Sequence, residues 1–529
     1  MYNVEEVIEP FWAEYSSEAS GRDPLAIQNS SVVIYSKMIV GITNVTNRIR
    51  YNGFFCWIFD KIVKSIDKRN SLSEQIRYSR RAELLLAFIM VKKFQGVTGV
   101  SGSNYATNNM KSKIRLNEGS DWEYKTEVGS GLYWKFKAGI FGQYYSGVMR
   151  ELNLINHPHG ELNIYSLTKE GKALALAFEQ SIMISNSGFN EPELFWKCVH
   201  DGNVNEADLG KLQSFALHLI PKECDELKIY EKLMLAPDDK KVIPTYNRKN
   251  TIKLVLQYLQ TQTDGVENPT ASFLRDNYSK QGSKSTLGLD SATAWYLFEM
   301  NELLHVAYEH FHVCFLYSIQ TYPTILDKAV DQLLKQTIKA FMDDKIDAKT
   351  FTTEELAQLL NTQKLNTYDY YDDMLAYFKV GEYGKTLQNA IKTIFNTFLD
   401  SKTHLQLLKD FAVLPENNFN RPGFAGEIIN DLVQSKLNMT IVEYTRSILL
   451  SAINLHMFSS YRKSMIGQGL VHNYMIEGPT VWQLRRTLPN RTTPRMQNAI
   501  QYISDIGWVE KIDNKYCITE TGKQILTSL

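Results

Sequence analysis

The sequence predicts a mainly α protein: a helical body carrying two small modules, each built of helices and a β-hairpin. Three observations lead there. Apolar residues recur at helical spacing through most of 293–465, where few stretches alternate with period two. Residues 478–529 resolve into helix, turn, helix and hairpin. The pattern Tyr-x-apolar-Thr-x-x-Gly-Lys occurs twice, at Tyr165–Lys172 and Tyr516–Lys523, each time after a helix and a short strand.

The body reads from runs such as WYLFEMNELLHVAYEHFHVCFLYSI and ILDKAVDQLLKQTIKAFM, broken at Pro323, Gly381–Gly384, Pro415 and Pro422–Gly423. Upstream, Asn52–Ile66 and Arg77–Phe94 read as helices. The glycines Gly96, Gly99 and Gly102 end the second in a turn-rich loop, and no Gly-Lys-Ser/Thr follows to make a phosphate loop. Tyr278–Asp290 reads as a linker. These breaks predict four regions: a basic helical region 1–95, a module 96–182, a helical body 183–477 and a C-terminal module 478–529.

In the C-terminal module, Thr480–Leu488 is predicted as a short helix closed by Pro489-Asn490. Thr492 and Thr493 are suited to cap the next helix, whose Met496, Ile500 and Ile503 form one apolar stripe. Gly507 stops it. Trp508–Ile512 and Lys515–Ile518 are strands around an Asp513-Asn514 turn, because Asn tolerates a positive φ. Thr519 and Gly522 open a last helix. Upstream, Val148, Leu152 and Ile155 mark the equivalent helix, and the hairpin returns at Tyr165–Leu167.

Helix, turn, helix and hairpin in this order resemble the winged-helix superfamily, at 478–529 and again at about 139–182. The resemblance implies a second helix that enters the major groove and a wing that touches backbone. The positions it assigns to nucleic acid are Arg485, Arg486, Arg491, Arg495, Gln497, Asn498, Gln501, Lys511 and Lys515. Arg, Gln and Asn pair with purine edges, and Lys suits phosphates.

Overall charge does not favour nucleic acid, since 58 Lys and Arg balance 58 Asp and Glu. Yet residues 31–93 hold twelve bases against four acids, and 191–240 hold eleven acids against six bases. The basic stretch either meets phosphate or docks on an acidic surface, the chain's own included.

At 529 residues, 44% hydrophobic and 12% aromatic, the chain has core enough for two to four domains. Five scattered cysteines give neither a disulfide framework nor metal-ligand spacing, which fits a reducing cytoplasm. The acidic start lacks the apolar run of a signal peptide. Trp295–Ile319 carries too many Glu and His to lie in lipid.

No catalytic motif emerges. Glu302-x-x-His305 and Glu309-x-x-His312 have the spacing found in di-iron bundles. They lie seven residues, about 10 Å, apart on one helix, so buried hydrogen-bonded groups are expected rather than a shared metal. Asp121–Lys125 lacks the strands of a nuclease site, His157-Pro158-His159 is a hairpin turn, and Tyr368–Asp373 is an acidic helix start. No metal or cofactor is therefore expected.

The layout, with GITNVTNRIRYNGFFCWIFD at Gly41–Asp60, resembles uncharacterised proteins of bacterial defence islands. It implies a cytoplasmic prokaryotic subunit of a larger complex, binding double-stranded DNA or serving as a scaffold in antiphage defence. A winged helix near each end of a helical body also resembles kleisin-type subunits, whose partner is an SMC-like ATPase. The third reading is a DNA-acting enzyme without a recognisable active site.

Overall fold

The computed structural model describes residues 23–529, except 66–70, 125–130, 157–164, 185–188, 237–246, 289, 402–427, 429–430 and 466–470. The His157-Pro158-His159 turn, Lys125, Pro415 and Pro422–Gly423 lie outside the described residues. Helices dominate, and the strands form small antiparallel sheets. No helix among the described residues is long and apolar enough to cross a membrane.

The chain divides into two compact units, each assembled from separate stretches. One holds residues up to Tyr35 together with Leu274–Thr493; the other holds Ser36–Phe273 and Pro494–Leu529. Residues 478–529 therefore contribute to both units.

The first unit is organised around helix Ser291–Ser318, in which every residue from Ser291 to Leu316 is buried. Apolar side chains on all its faces, with little amphipathic bias, make it a core helix. The Asp290 carboxylate caps it by accepting from Thr293 N–H at 2.8 Å. Helices Leu326–Asp343, Tyr383–Ser401 and Ile441–Met465 pack against it. Helix Thr367–Lys379 begins in a capping box between Asn366 and Asp369, as the acidic start at Tyr368–Asp373 suggests.

Two expectations fail in this unit. Thr480–Gln483 is a β-strand rather than a helix. Gly478 takes φ +54° in a two-residue turn, which folds Thr480–Gln483 back on Tyr474–Glu477, and Thr324–Ile325 pairs on the other side. The physical reason is period two: Val481 and Gln483 face inward while Thr480 and Trp482 do not. Nor is Tyr278–Asp290 all linker. Helix Pro269–Gly282 includes Tyr278, which is buried and donates to Asp400 at 2.9 Å.

In the second unit, helix Arg50–Ser65 packs along Lys169–Ile184, and helix Leu72–Lys93 packs on Glu191–Asp201. The latter starts five residues before its expected Arg77, because Ser71 and Glu74 form a capping box. Its core is aromatic: Phe54, Trp57, Phe178, Phe195 and Phe215 make edge and stacked contacts.

Candidate functional site

The C-terminal element of the second unit comprises helix Met496–Asp505, strands Val509–Ile512 and Lys515–Ile518, and helix Glu520–Ser528. Met496, Ile500 and Ile503 are buried as one stripe. The N-cap is Arg495, without a side-chain cap, so neither Thr492 nor Thr493 serves as expected. Asp513 and Asn514 both take positive φ, +46° and +66°, which matches the twist of a two-residue hairpin.

A specific set of bonds joins the strands to the last helix. Gly507 turns left-handed at φ +80°, and Trp508 N–H returns to Ile503 O at 2.9 Å. Thr519 N–H donates to Trp508 O at 3.0 Å, and its hydroxyl donates to Gly507 O at 2.7 Å. That hydroxyl also accepts from Gly522 N–H at 3.0 Å. A Cβ on Gly522 would lie 2.1 Å from Trp508 O, so only glycine fits.

The upstream copy repeats this closure atom for atom. Asn153 takes φ +56°, Leu154 N–H returns to Met149 O at 2.8 Å, and Thr168 N–H donates to Leu154 O at 3.1 Å. The Thr168 hydroxyl donates to Asn153 O at 2.7 Å and accepts from Gly171 N–H at 3.0 Å. A Cβ on Gly171 would lie 2.0 Å from Leu154 O. Ile155 and Leu167 form the bridge of this hairpin, and helix Lys169–Ile184 follows.

The helix missing at 480–488 has a counterpart elsewhere. Helix Arg248–Gln260 packs on strand Lys515–Ile518 and on helix Glu520–Ser528. Val266 then adds a third, one-residue strand: its N–H donates to Tyr516 O at 3.1 Å and its carbonyl accepts from Tyr516 N–H at 2.8 Å. Thr270, at the start of the next helix, donates to Gln497 at 3.2 Å. Helix, strand, helix start, helix and hairpin thus assemble from 248–273 and 494–529.

The nine residues expected to meet nucleic acid are shared between the two units. Arg485, Arg486 and Arg491 belong to the first unit, and the other six to the second. Arg491 ion-pairs with the fully buried Glu299. Arg485 donates to Val471 O at 2.6 Å. Arg486 lies over the Tyr317 ring, which lines an open apolar cavity of about 570 Å³ with Phe378, Val380 and Leu488. Arg495 is half-buried.

On helix Met496–Asp505 no residue is exposed. Asn498 is buried and donates to Thr46 O and Asn47 Oδ1, Gln497 holds Thr270, and Gln501 donates to Asp505. The hairpin is open: Glu510, Lys511, Ile512, Asp513 and Asn514 are exposed, with Lys515 half-buried beside them, and of the other expected residues Arg486 is exposed.

What covers that helix is the segment 41–49, the start of the Gly41–Asp60 stretch singled out from sequence. Arg48 Nη1 donates to Asp505 Oδ1 at 2.6 Å, and Ile49 N–H reaches Asp505 Oδ2 at 3.3 Å. Burial pushes the Asp505 carboxyl up to about 6, against the pull of Arg48. At its other end the segment is held by the upstream copy, where Gly41 N–H donates to Glu151 Oε2 at 2.9 Å.

The basic stretch 31–93 is largely consumed within its own unit. Arg50 forms a fully buried pair with Glu226, and Lys92 meets Glu206, both acids of the 191–240 region. Arg81 pairs with Asp121, Arg77 with Glu123 and Lys61 with Glu179. Arg80 donates to the carbonyls of Ser120, Trp134 and Phe136. Asp121 and Glu123, the acids weighed for a nuclease, are thereby arginine partners.

The other concentration of chemistry lies in the first unit, along the buried helix. Glu299, Glu302, His305, Glu309, His310 and His312 are all inaccessible. Glu302 accepts from Ser31 Oγ at 2.5 Å and from Thr492 N–H at 2.7 Å. Burial pushes His312 down to about 3 and His310 to about 4, so both are neutral. The expectation of buried, hydrogen-bonded groups holds for Glu302, for Glu309, which accepts from Asn490 N–H at 2.7 Å, and for His312, which pairs with Asn473 at 3.2 Å. It misses Asp23, which comes to the same place as His305 and Glu309 from nearly 300 positions away. No spacing rule could have paired them.

Comparison with known protein families, with curated proteins and with solved structures finds no match.

Proposed function

We propose that residues 248–273 and 494–529 form a winged-helix module split by the insertion of 274–493. The upstream copy would be a second module, and the chain a nucleic-acid-binding or scaffold subunit of a multi-protein complex. The order of elements and the pairing of Val266 with the return strand of the hairpin support the assignment.

The observation that carries the functional reading is the burial of the would-be reading helix. With Asn498 engaged by Thr46 and Asn47, Asp505 by Arg48, and the half-buried Gln497 and Gln501 by Thr270 and Asp505, Met496–Asp505 presents no exposed residue to base edges. Attachment through the exposed wing, Lys511 and Lys515, is the mode this geometry supports. Such contact is with phosphates or an acidic protein surface, and carries little sequence information.

Binding of labelled duplexes of two unrelated sequences, measured across a salt series, tests this. The expected result is equal affinity for both, with a K511A/K515A variant lowering the salt slope by about 2. Sequence-selective binding lost in a Q497A/Q501A variant would overturn wing attachment in favour of base reading. Absence of duplex binding at low salt, with a protein partner released by K511A/K515A, would assign the wing to a protein surface.

A further inference from the structure

We propose that Asp23, His305 and Glu309 hold one divalent transition-metal ion inside the first unit. One donor atom from each lies within 4.8 Å of the others, so a shift of about 1 Å or less per donor would bring all three to bonding distance of a single ion. The proposal is independent of the winged-helix reading.

The ligands are placed by separate devices. His305 and Glu309 are four residues apart on a fully buried helix, so they share a face. Asp23 sits in a left-handed turn at φ +56°, where Ile27 N–H at 2.8 Å and Gln28 N–H at 3.2 Å fix its carboxylate. Glu309 Oε2 is fixed by Asn490 N–H at 2.7 Å.

Its other oxygen is the telling atom. Glu309 Oε1 is fully buried and has no hydrogen-bond partner, although His305 Nε2 is only 3.1 Å away. The two atoms pair by charge at that distance, without a hydrogen bond of good geometry. Close approach without that geometry suits two donors converging on a third centre. With no ion between them, this oxygen and His305 Nε2 are left facing each other as an ion pair.

The surroundings fit a cation. Glu302 Oε1 lies 3.4 Å from His305 Nδ1, which makes no hydrogen bond; a small turn of the ring would let this carboxylate orient a metal-bound imidazole. Gln28 Nε2 lies 3.4 Å from His305 Nε2, and its carboxamide can turn Oε1 to the same place as a fourth donor. Three carboxylates face this imidazole. Lys463 donates to the backbone carbonyl of Asp23 at 2.6 Å. One nitrogen and two or three oxygens suit Zn²⁺ or Mn²⁺.

Untagged full-length protein, stripped with chelator and then titrated with Zn²⁺ or Mn²⁺, tests the site. The expected result is uptake of about one ion per chain with a rise in melting temperature. Affinity should fall at least about tenfold in both D23N and E309Q. D23N guards against misfolding, because Asp23 is only half-buried, and far-UV circular dichroism verifies the fold of each variant. No uptake by folded, stripped protein would overturn the proposal, as would affinity in both variants equal to that of the unaltered protein.

Discussion

The two closures of the second unit share their backbone bonds and differ in nearly everything around them. Both run from a left-handed residue through a Thr hydroxyl to a Gly N–H, with matching distances at 2.7 and 3.0 Å. The left-handed residue is Asn153 in one and Gly507 in the other. Helix Lys169–Ile184 buries a full face, whereas Glu520–Ser528 buries only Gly522. Glu151 holds one peptide N–H, while Asp505 holds a peptide and a guanidinium. What the repeat preserves is therefore a way of turning from strand into helix. The outward faces are left to diverge.

The sharpest way to break the likeness is at the glycines. Gly to Ala within a helix ordinarily stabilises. Here the added methyl meets a backbone carbonyl at 2.0 or 2.1 Å, which cannot give way cheaply. Gly171→Ala and Gly522→Ala are each expected to cost about 3 kcal/mol in denaturant unfolding. A neutral result in only one would show that the closures carry unequal strain.

A smaller effect should separate the copies by pH. Asp505 titrates near 6 when folded but near its ordinary value of 3.8 when unfolded. The folded state then binds the extra proton between those values, so stability falls as pH rises from about 4 to about 6. The loss is on the order of 2 kcal/mol. Asp505→Asn should flatten that dependence in unfolding curves recorded at pH 4.5 and 6.5, and Glu151→Gln should leave it unchanged. An unchanged slope in Asp505→Asn would put the titration elsewhere.

The mildest comparison removes the hydroxyls. Thr168→Val and Thr519→Val each lose one accepted and one donated bond, and should cost about 1 kcal/mol. The melting temperature of each variant reads this out. Unequal costs would identify the copy that depends on its cap.

The same contrast explains what could be read in the sequence. Helix Met496–Asp505, the hairpin, the Thr-x-x-Gly closure and its upstream repeat were legible because every bond in them is local. Thr480–Gln483 was misread although Thr, Val and Trp favour strands, because four residues are too few to show the period and the partners Tyr474–Glu477 and Thr324–Ile325 fix it. The true neighbour of the C-terminal hairpin, Arg248–Gln260, is out of range of any window. So is the Arg48–Asp505 pair, 457 positions apart. The excess of bases at 31–93 was correctly counted, but only the structure shows Glu226, Glu206 and Asp121 absorbing it. For the Asp23, His305 and Glu309 cluster, sequence supplied two members on one helix and gave no means of finding the third.

The pairing of Val266 with Tyr516 also constrains how the molecule is made. Residues 36–273 leave the ribosome long before 494–529 exist. In that interval the strand edge at Val266 and the segment at Thr46–Ile49 lack the surfaces that later cover them. Contacts of such high sequence separation form late and slowly, and exposed edges are then open to aggregation. A chain cut short within 274–493 could never complete the unit begun at Ser36, and its edge at Val266 would stay unpaired.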